Sequence, residues 1–260
     1  MLGWSINLFK VFGIQLAVHA SFVLLLAYWG YQGWLEGGVP GMAWSVGLIV
    51  LFFVCVILHE LGHSLTARRY GINVPRIMLL PIGGMAEFDR IPRKPSQELL
   101  ITVAGPAVNF LLVGLLLPVV WKDFFHSDSV AAYSPAGVIV QLVYANFIMG
   151  VFNLVPVFPM DGGRIFRALL AMKLPYLRAT WWAVMVGRVL AVGFIGWALY
   201  TNQVMLAVLF TFILFAGNNE YQVALRREQE EAYWRELARQ AVAVPPERPG
   251  EPPLIIHGPN

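Results

Sequence analysis

An unbroken apolar stretch of this chain contains the pattern His59-Glu60-Leu61-Gly62-His63. Residues four apart share one face of a helix, so His59 and His63 can offer two imidazole nitrogens to one metal ion, with Glu60 beside them. Ionisable side chains at membrane depth are costly and are usually functional. The sequence therefore predicts a metal site, with zinc as the metal, inside a bilayer.

Composition supports the membrane interpretation. Of the 260 residues, 58% are apolar and only 13% are charged, whereas soluble domains carry about 25% charged residues. The net charge of +3 is too small to indicate binding to nucleic acid. The single cysteine, Cys55, excludes an intramolecular disulfide and is expected to be a small buried apolar residue.

Six apolar segments are long enough to cross a bilayer as helices, which predicts an all-α polytopic membrane protein with six transmembrane helices. Only the three residues 201–203 separate the last two segments, so these are expected to form a helical hairpin. The segments run from about Ile14 to Trp34, Met42 to Arg68, Leu99 to Val120, Gly137 to Leu154, Trp181 to Tyr200 and Val204 to Gly217.

Basic residues cluster in alternate connections, which predicts the orientation of the chain. The connections after the second, fourth and sixth segments are rich in Arg and Lys, whereas those after the first, third and fifth contain only Lys122. Both termini should then face the cytoplasm. His63 precedes Arg68 by five residues, so the His pair should lie roughly 8–14 Å below the cytoplasmic surface.

The connection from Gly71 to Pro95 is less polar than an ordinary loop. Ile72–Val74 and Ile77–Leu80 have the composition of short strands, and Met85–Phe88 could return after a turn at residues 81–84. We expect a small membrane-associated β-hairpin region between spans 2 and 3 that dips toward the metal. An ordinary cytoplasmic loop is the alternative.

The chain is expected to divide near residue 217. Residues 1–217 would form the six-span membrane domain that contains the metal site, and residues 218–260 a cytosolic charged helix followed by a Pro-rich tail.

A catalytic zinc ion needs three protein ligands and one open position, so one ligand remains to be found. Asp161 is the strongest candidate, because Pro156 and Pro159 end the fourth span and should hold this segment extended near the depth of the metal. Gly162 and Gly163 would permit an unusual backbone after the carboxylate. The alternative is that Asp-Gly-Gly is only a turn that ends a span.

Glu60 and Asn153 are the candidate catalytic side chains. Glu60 lies one residue from a ligand, where it could take a proton from an attacking water and pass it to the leaving amine. Asn153 could donate a hydrogen bond to a developing oxyanion. An Asn at the C-terminal end of a helix is common, so the residues alone leave this role open.

These motifs resemble the site-2 protease family of intramembrane zinc metalloproteases, in its short six-span branch. The resemblance covers about residues 10–217 and is specific because several motifs occur together. They are the HExxH pattern, Gly83-Gly84, Ala104-Gly105-Pro106 with Asn109, and Asn153, Pro156, Pro159, Asp161 and Gly162.

The resemblance implies one Zn²⁺ per chain, with His59, His63 and Asp161 as ligands and Glu60 as general base. It also implies that Asn153 contacts the oxyanion or the substrate backbone. Gly83 and Gly84 would belong to a hairpin that clamps an extended substrate, and the segment with Pro156 and Pro159 would help to hold that substrate unwound.

The sequence thus predicts an intramembrane zinc metalloendopeptidase in the prokaryotic cell membrane. Its expected partners are a membrane-spanning protein substrate and the lipid bilayer, with no nucleic acid, and assembly into a homo-oligomer is left open. Two rivals are a metal-ion transporter that uses the same three ligands for a transient ion, and a catalytically silent membrane scaffold.

Overall fold

Helices form most of the protein, and a four-stranded sheet lies near its N-terminus. The computed structural model describes residues 4–90, 92, 94–125 and 134–243. The strands are β1 (Ser5–Val11), β2 (Ile14–His19), β3 (Arg76–Leu80) and β4 (Gly83–Glu87). The helices are α1 (Ser21–Arg69), α2 (Pro95–Leu116), α3 (Trp121–Phe125), α4 (Pro135–Asn153), α5 (Asp161–Ala171), α6 (Tyr176–Tyr200) and α7 (Val204–Ala243), with a 3-10 turn, Leu117–Val120, between α2 and α3.

Five helical segments of the described chain are long and apolar enough to cross a membrane. The predicted count of six is therefore not confirmed, because the first two predicted spans both lie in α1. The five segments are Ser21–Arg69, Pro95–Phe125, Pro135–Asn153, Tyr176–Tyr200 and Val204–Gln240.

Helix α1 folds back on itself in the middle. Gly37 and Gly38 leave the helical conformation, and Gly38 has a φ of 62° that favours glycine. A Cβ placed on Gly33 would lie 2.5 Å from the Gly41 carbonyl oxygen, although residues eight apart in a straight helix are about 12 Å apart. The rings of Phe22 and Phe53 also meet, with centroids 4.6 Å apart. The two halves of α1 thus pack as an antiparallel pair.

The N-terminal strands correct the all-α prediction. The segment Ile14–His19, predicted to begin the first span, is β2, and the helix begins at Ser21. A two-residue turn, Phe12-Gly13 with positive φ at both positions, joins β2 to β1. Because residues on both faces of β2 are buried, the strand lacks the polar–apolar alternation that would have identified it.

The sheet has the order β1-β2-β3-β4, so the predicted hairpin is half of a larger structure. β3 and β4 pair antiparallel around the two-residue loop Pro81-Ile82, and β2 pairs parallel with β3 after the crossover through α1. The hairpin position also differs from the prediction, since Ile72–Val74 forms no strand and the first strand of the pair starts at Arg76. β4 lies at one edge of the sheet.

A shared apolar core fixes the sheet against the second half of α1. Ile14 and Leu16 of β2 and Ile77 of β3 pack with Leu61 and Ala67 of α1, and all five are buried. Leu61 is one of the residues between the two histidines. The sheet therefore lies directly against the helix that carries the HExxH pattern, which brings β4 to that pattern.

The segment after α4 contains a helix that the sequence did not predict. Asp161 is the first residue of α5 and not part of an extended stretch. Gly162 and Gly163 are helical and serve close packing, because a Cβ on Gly162 would lie 2.1 Å from the Val155 carbonyl oxygen. The predicted unusual backbone at these glycines is therefore wrong.

A buried ion cluster joins α2, α5 and α7. The Arg167 guanidinium, 2% exposed, donates to Glu98 through Nε at 2.9 Å and to Glu220 through Nη1 at 2.8 Å. Helix α7 runs without a break across residue 217, where a domain boundary was expected. The predicted Pro-rich tail, residues 244–260, lies outside the described residues.

The fold-back of α1 can be tested with glycine substitutions. Gly33→Ala places a methyl group 2.3 Å from Ser45 Oγ and 2.5 Å from the Gly41 carbonyl oxygen, so the two halves must separate and the Tm in detergent micelles should fall by several degrees. Gly47→Ala, in the same helix with no atom within 4 Å of its Cβ, should leave the Tm unchanged or raise it. Equal Tm values for the two variants would contradict the antiparallel packing.

Candidate metal centre

Three side chains with metal-ligating atoms meet between α1 and α5. His59 Nε2 and His63 Nε2 lie 3.3 Å and 3.2 Å from Asp161 Oδ2, and the two Nε2 atoms lie 3.2 Å from each other. All three residues were predicted from the sequence as ligands, and the structure brings all three together.

The hydrogen bond of His63 orients this ring for a cation. Its Nδ1 lies 2.8 Å from the Ile101 carbonyl oxygen, which can only accept, so Nδ1 carries a hydrogen, and in the neutral ring Nε2 presents its lone pair to the cluster. Asp161 Oδ2 is buried and receives no hydrogen bond. Acceptor atoms that face one another in a buried site repel unless a cation lies between them.

The spacing of the three atoms fits a tetrahedral zinc ion. Zinc binds imidazole nitrogen and carboxylate oxygen at about 2.0–2.2 Å, so two ligands at the tetrahedral angle are separated by about 3.3–3.6 Å. The observed separations of 3.2–3.3 Å lie within about 0.1 Å of the short end of that range. Three protein ligands leave a fourth position open, as in catalytic zinc sites.

Glycines allow helix α2 to approach the two histidines. A Cβ placed on Gly105 would lie 2.2 Å from His63 Nε2 and 2.9 Å from His59 Cε1. A Cβ placed on Gly62, between the two histidines, would lie 2.7 Å from the Ala104 carbonyl oxygen, so Gly62 also packs closely against α2. Helix α2 therefore forms one wall of the site, and any side chain at Gly105 would occupy ligand space.

The charge on Asp161 suits a ligand. Burial by itself raises the pKa of this carboxyl, but His59 and His63, when their rings are protonated, donate to the carboxylate and attract it, which outweighs burial and holds the pKa below its usual range. Asp161 is therefore ionised at neutral pH. Its place in the first turn of α5 also lets the backbone dipole of that helix stabilise the negative charge.

Glu60 and the edge strand β4 meet at the mouth of the site. A cavity of about 440 Å³ is lined by His59, His63 and Asp161 together with Glu60 and residues 83–86 of β4. A Cβ on Gly84 would lie 2.6 Å from Glu60 Cγ, so the glycine leaves room for the Glu60 side chain. The candidate base thus lies between the ligands and the edge of the sheet.

The remaining predicted site residues differ in their position. Gly83, Asn153 and Pro159 line the cavity, but Pro156 is not part of its described lining. The Asn153 side chain donates to the Met149 carbonyl oxygen at 3.0 Å, one turn earlier in α4. Gly83 and Gly84 belong to β4, where Gly83 has a φ of 139° that favours glycine.

Two buried asparagines next to the site were missed as functional residues. His59 Nδ1 contacts Asn109 Oδ1 at 2.5 Å, and Asn109 Nδ2 donates to Asn146 Oδ1 at 3.0 Å. Asn109 was named only as part of a motif that the chain shares with the family, without a role at the site, and Asn146 was not singled out. Both lie inside apolar spans, where a polar side chain needs a partner, and that signal could have identified them.

Comparison with known proteins identifies the family. The model of peptidase family M50 matches residues 47–194. Zinc metalloprotease MJ0392 of Methanocaldococcus jannaschii is 38% identical over 222 residues, which cover 85% of this chain and 62% of that protein. Stage IV sporulation protein FB of Bacillus subtilis is 24% identical over 147 residues, covering 56% of this chain and 48% of that protein.

A solved structure agrees with the sequence comparisons. The site-2 protease from Methanocaldococcus jannaschii aligns with a TM-score of 0.60 at 37% identity and covers 84% of this chain and 95% of that one. Fold and site define an integral membrane protein in which three buried or half-buried side chains could hold a metal ion. The chain belongs to peptidase family M50, and the resemblance to the site-2 proteases is confirmed. It spans between about half and two thirds of the two curated relatives described above.

The packing of α2 against the ligands predicts a loss of metal from Gly105→Ala. The added methyl group would displace the His63 ring, so bound zinc should fall well below that of the unsubstituted protein. Gly114→Ala, in the same helix with no atom within 4 Å of its Cβ, should retain full zinc. Elemental analysis of both purified variants provides the comparison, and full zinc in Gly105→Ala would contradict the described site.

Asp161 can be tested directly as the third ligand. Asp161→Ala should weaken zinc binding by at least about 100-fold, because it removes the anionic ligand. The fold should survive, since the carboxylate makes no hydrogen bond through Oδ2. Competition with a chromophoric chelator measures the affinity, and circular dichroism checks the helices. Unchanged affinity would remove Asp161 from the site.

Proposed function

We propose that this protein is an intramembrane zinc metalloendopeptidase that hydrolyses peptide bonds of transmembrane or membrane-associated substrates, in regulated intramembrane proteolysis. The observation that carries the proposal is the convergence of His59, His63 and Asp161 beside Glu60 in a cavity bordered by the edge of a sheet. One zinc ion per chain is the proposed cofactor, and the relatives named zinc metalloprotease support it.

The proposed topology has six spans, because the two antiparallel halves of α1 would each cross the membrane. The basic connections favour cytoplasmic termini, and the relatives from Methanocaldococcus jannaschii and Bacillus subtilis support location in a prokaryotic cell membrane. Residues 1–217 would act as the membrane domain, and residues 218–260 would form a cytosolic extension that starts inside α7.

The substrate is proposed to bind as an extended strand along β4. An edge strand offers unpaired backbone N–H and C=O groups, and β4 offers them along the cavity that contains Glu60. A peptide bond in an intact helix is shielded by side chains and by backbone hydrogen bonds. Pairing with β4 would compensate for those hydrogen bonds when the substrate unwinds within the membrane.

Glu60 is proposed to carry the proton in the reaction. Zinc, when bound, supplies Lewis-acid chemistry that makes water acidic and polarises a carbonyl group. The Glu60 carboxylate would accept the proton of the attacking water and deliver it to the leaving nitrogen. His59, His63 and Asp161 would keep the ion in place, and the apolar surroundings would strengthen these interactions.

Asn153 and Pro159 are proposed to contact the substrate. One N–H of the Asn153 amide donates to the Met149 carbonyl, and the other is left to bond an oxyanion or a backbone carbonyl in the cavity. Pro159 would contact the bound strand from the opposite wall. Pro156 would act at a distance, by ending α4 and directing the chain toward Asp161.

Replacement of the base separates proteolysis from metal binding. Glu60→Gln should lower kcat by about 10²–10⁴-fold, because the amide cannot take the proton. Zinc content should not change, since Glu60 is not among the three converging residues. Cells that carry the variant should accumulate membrane-bound precursors, which comparative proteomics of isolated membranes would detect.

Glu228→Gln, an exposed change of the same type on α7, is the matched control and should behave like the unsubstituted protein. A Glu60→Gln variant with undiminished cleavage would contradict the proposed role of Glu60. Zinc flux into vesicles without any cleavage would favour the transporter. Absence of stoichiometric zinc in the purified protein would favour the scaffold.

A further inference from the structure

A line of buried polar groups connects helix α4 to the metal centre through α2. Asn146 Nδ2 donates to the Leu142 carbonyl oxygen at 2.8 Å. Asn109 Nδ2 donates to Asn146 Oδ1 at 3.0 Å, and Asn109 Oδ1 lies 2.5 Å from His59 Nδ1. Asn109 and Asn146 are 0% exposed, and His59 is 5% exposed.

The direction of this line is fixed at its far end. The Leu142 carbonyl can only accept, so Asn146 must turn its nitrogen toward it and its oxygen toward Asn109. Asn109 must then offer its nitrogen to Asn146 and its oxygen to His59. An acceptor oxygen at His59 Nδ1 requires a hydrogen on Nδ1, which leaves the lone pair on Nε2, the atom nearest Asp161.

We propose that Asn146 and Asn109 are positioning residues that fix the tautomer and ring orientation of His59. The hydrogen-bonded series from the Leu142 carbonyl through Asn146 and Asn109 to His59 is called the relay, and the Leu142 carbonyl is its fixed end. The proposal rests on the proposed function, because the tautomer matters only if His59 binds zinc. Asn146 touches neither metal ligand in this relay and acts on His59 through Asn109.

The apolar surroundings make this control effective. If either amide turned over, two oxygens or two N–H groups would face each other, and because both asparagines are 0% exposed, bulk solvent does not reach these groups to satisfy them. His63 needs no such relay, because its Nδ1 meets a backbone carbonyl directly. The two histidines of α1 are thus held by different hydrogen bonds, and only the orientation of His59 depends on a residue of α4.

Zinc affinity of single and double variants tests the relay. Asn109→Leu removes the acceptor at His59 and should weaken zinc binding by about 10–100-fold. Asn146→Leu, one step further away, should also weaken it by about 10-fold. The double variant should bind zinc no more weakly than Asn109→Leu alone, because in the proposed relay Asn146 acts on His59 through Asn109 and not through its other contact, with the Cys55 side chain.

Thr180→Val is the matched control for loss of a buried hydrogen bond. Thr180 is 0% exposed and donates to the Tyr176 carbonyl oxygen at 2.9 Å, in a helix that contributes no ligand. The Thr180→Val variant should have the zinc affinity of the unsubstituted protein and, after cobalt substitution, the same visible spectrum. Asn146→Leu should shift that spectrum, since the His59 ring is no longer held in place.

The outcomes separate the two proposals. Loss of affinity in Asn146→Leu without further loss in the double variant supports the relay. The relay is overturned if Asn146→Leu leaves both the zinc affinity and the cobalt spectrum unchanged. It is also overturned if the losses of zinc affinity in the two single variants add up in the double variant. Both results leave the zinc site intact. An unsubstituted protein that binds no zinc overturns the proposed function and the relay with it.

A measurement on the unsubstituted protein covers the case in which the asparagine variants do not fold. Nitrogen-15 NMR of histidine-labelled, zinc-loaded protein should show a hydrogen on Nδ1 of both site histidines. A His59 ring that binds zinc through Nδ1, or that carries its hydrogen on Nε2, would overturn the proposed relay.

Discussion

The rest of the site depends on one constraint: the fold holds two imidazole nitrogens and a carboxylate oxygen 3.2–3.3 Å apart. When both rings are neutral, as metal binding requires, these three acceptor atoms repel one another in a buried site unless a cation lies between them. The protein therefore has to force them together, and it does so with close backbone packing. Gly62 and Gly105 bring α1 and α2 together, and Gly162 places α5 beside the segment that ends α4.

The same packing also determines which elements border the site. The core shared by β2, β3 and the second half of α1 places the edge strand β4 next to Glu60. On the other side, α5 carries Asp161 in its first turn, and Arg167 further along that helix is tied to α2 and α7. As a result, the cavity is bordered by the candidate base, the three candidate ligands and the edge strand β4.

The sequence predicted which three side chains converge better than it predicted the fold around them. His59 and His63 follow from helical spacing, and Asp161 from its position after Pro156 and Pro159. The strand β2 was missed because burial on both faces gives it the composition of a membrane helix. Helix α5 was missed because two glycines normally weaken a helix, and only tertiary contacts explain why they are tolerated here. Contacts between distant segments, such as that of Asn109 with Asn146, have no local pattern.

The coordination of zinc in the purified, active protein tests the central claim most directly. X-ray absorption at the zinc edge should show four nitrogen or oxygen neighbours at about 2.0–2.1 Å, two of them with the outer-shell scattering of imidazole. One zinc ion per chain with this shell is the result that the proposed site predicts. A spectrum with one imidazole or none, or with sulfur from Cys55 in the first shell, would contradict it.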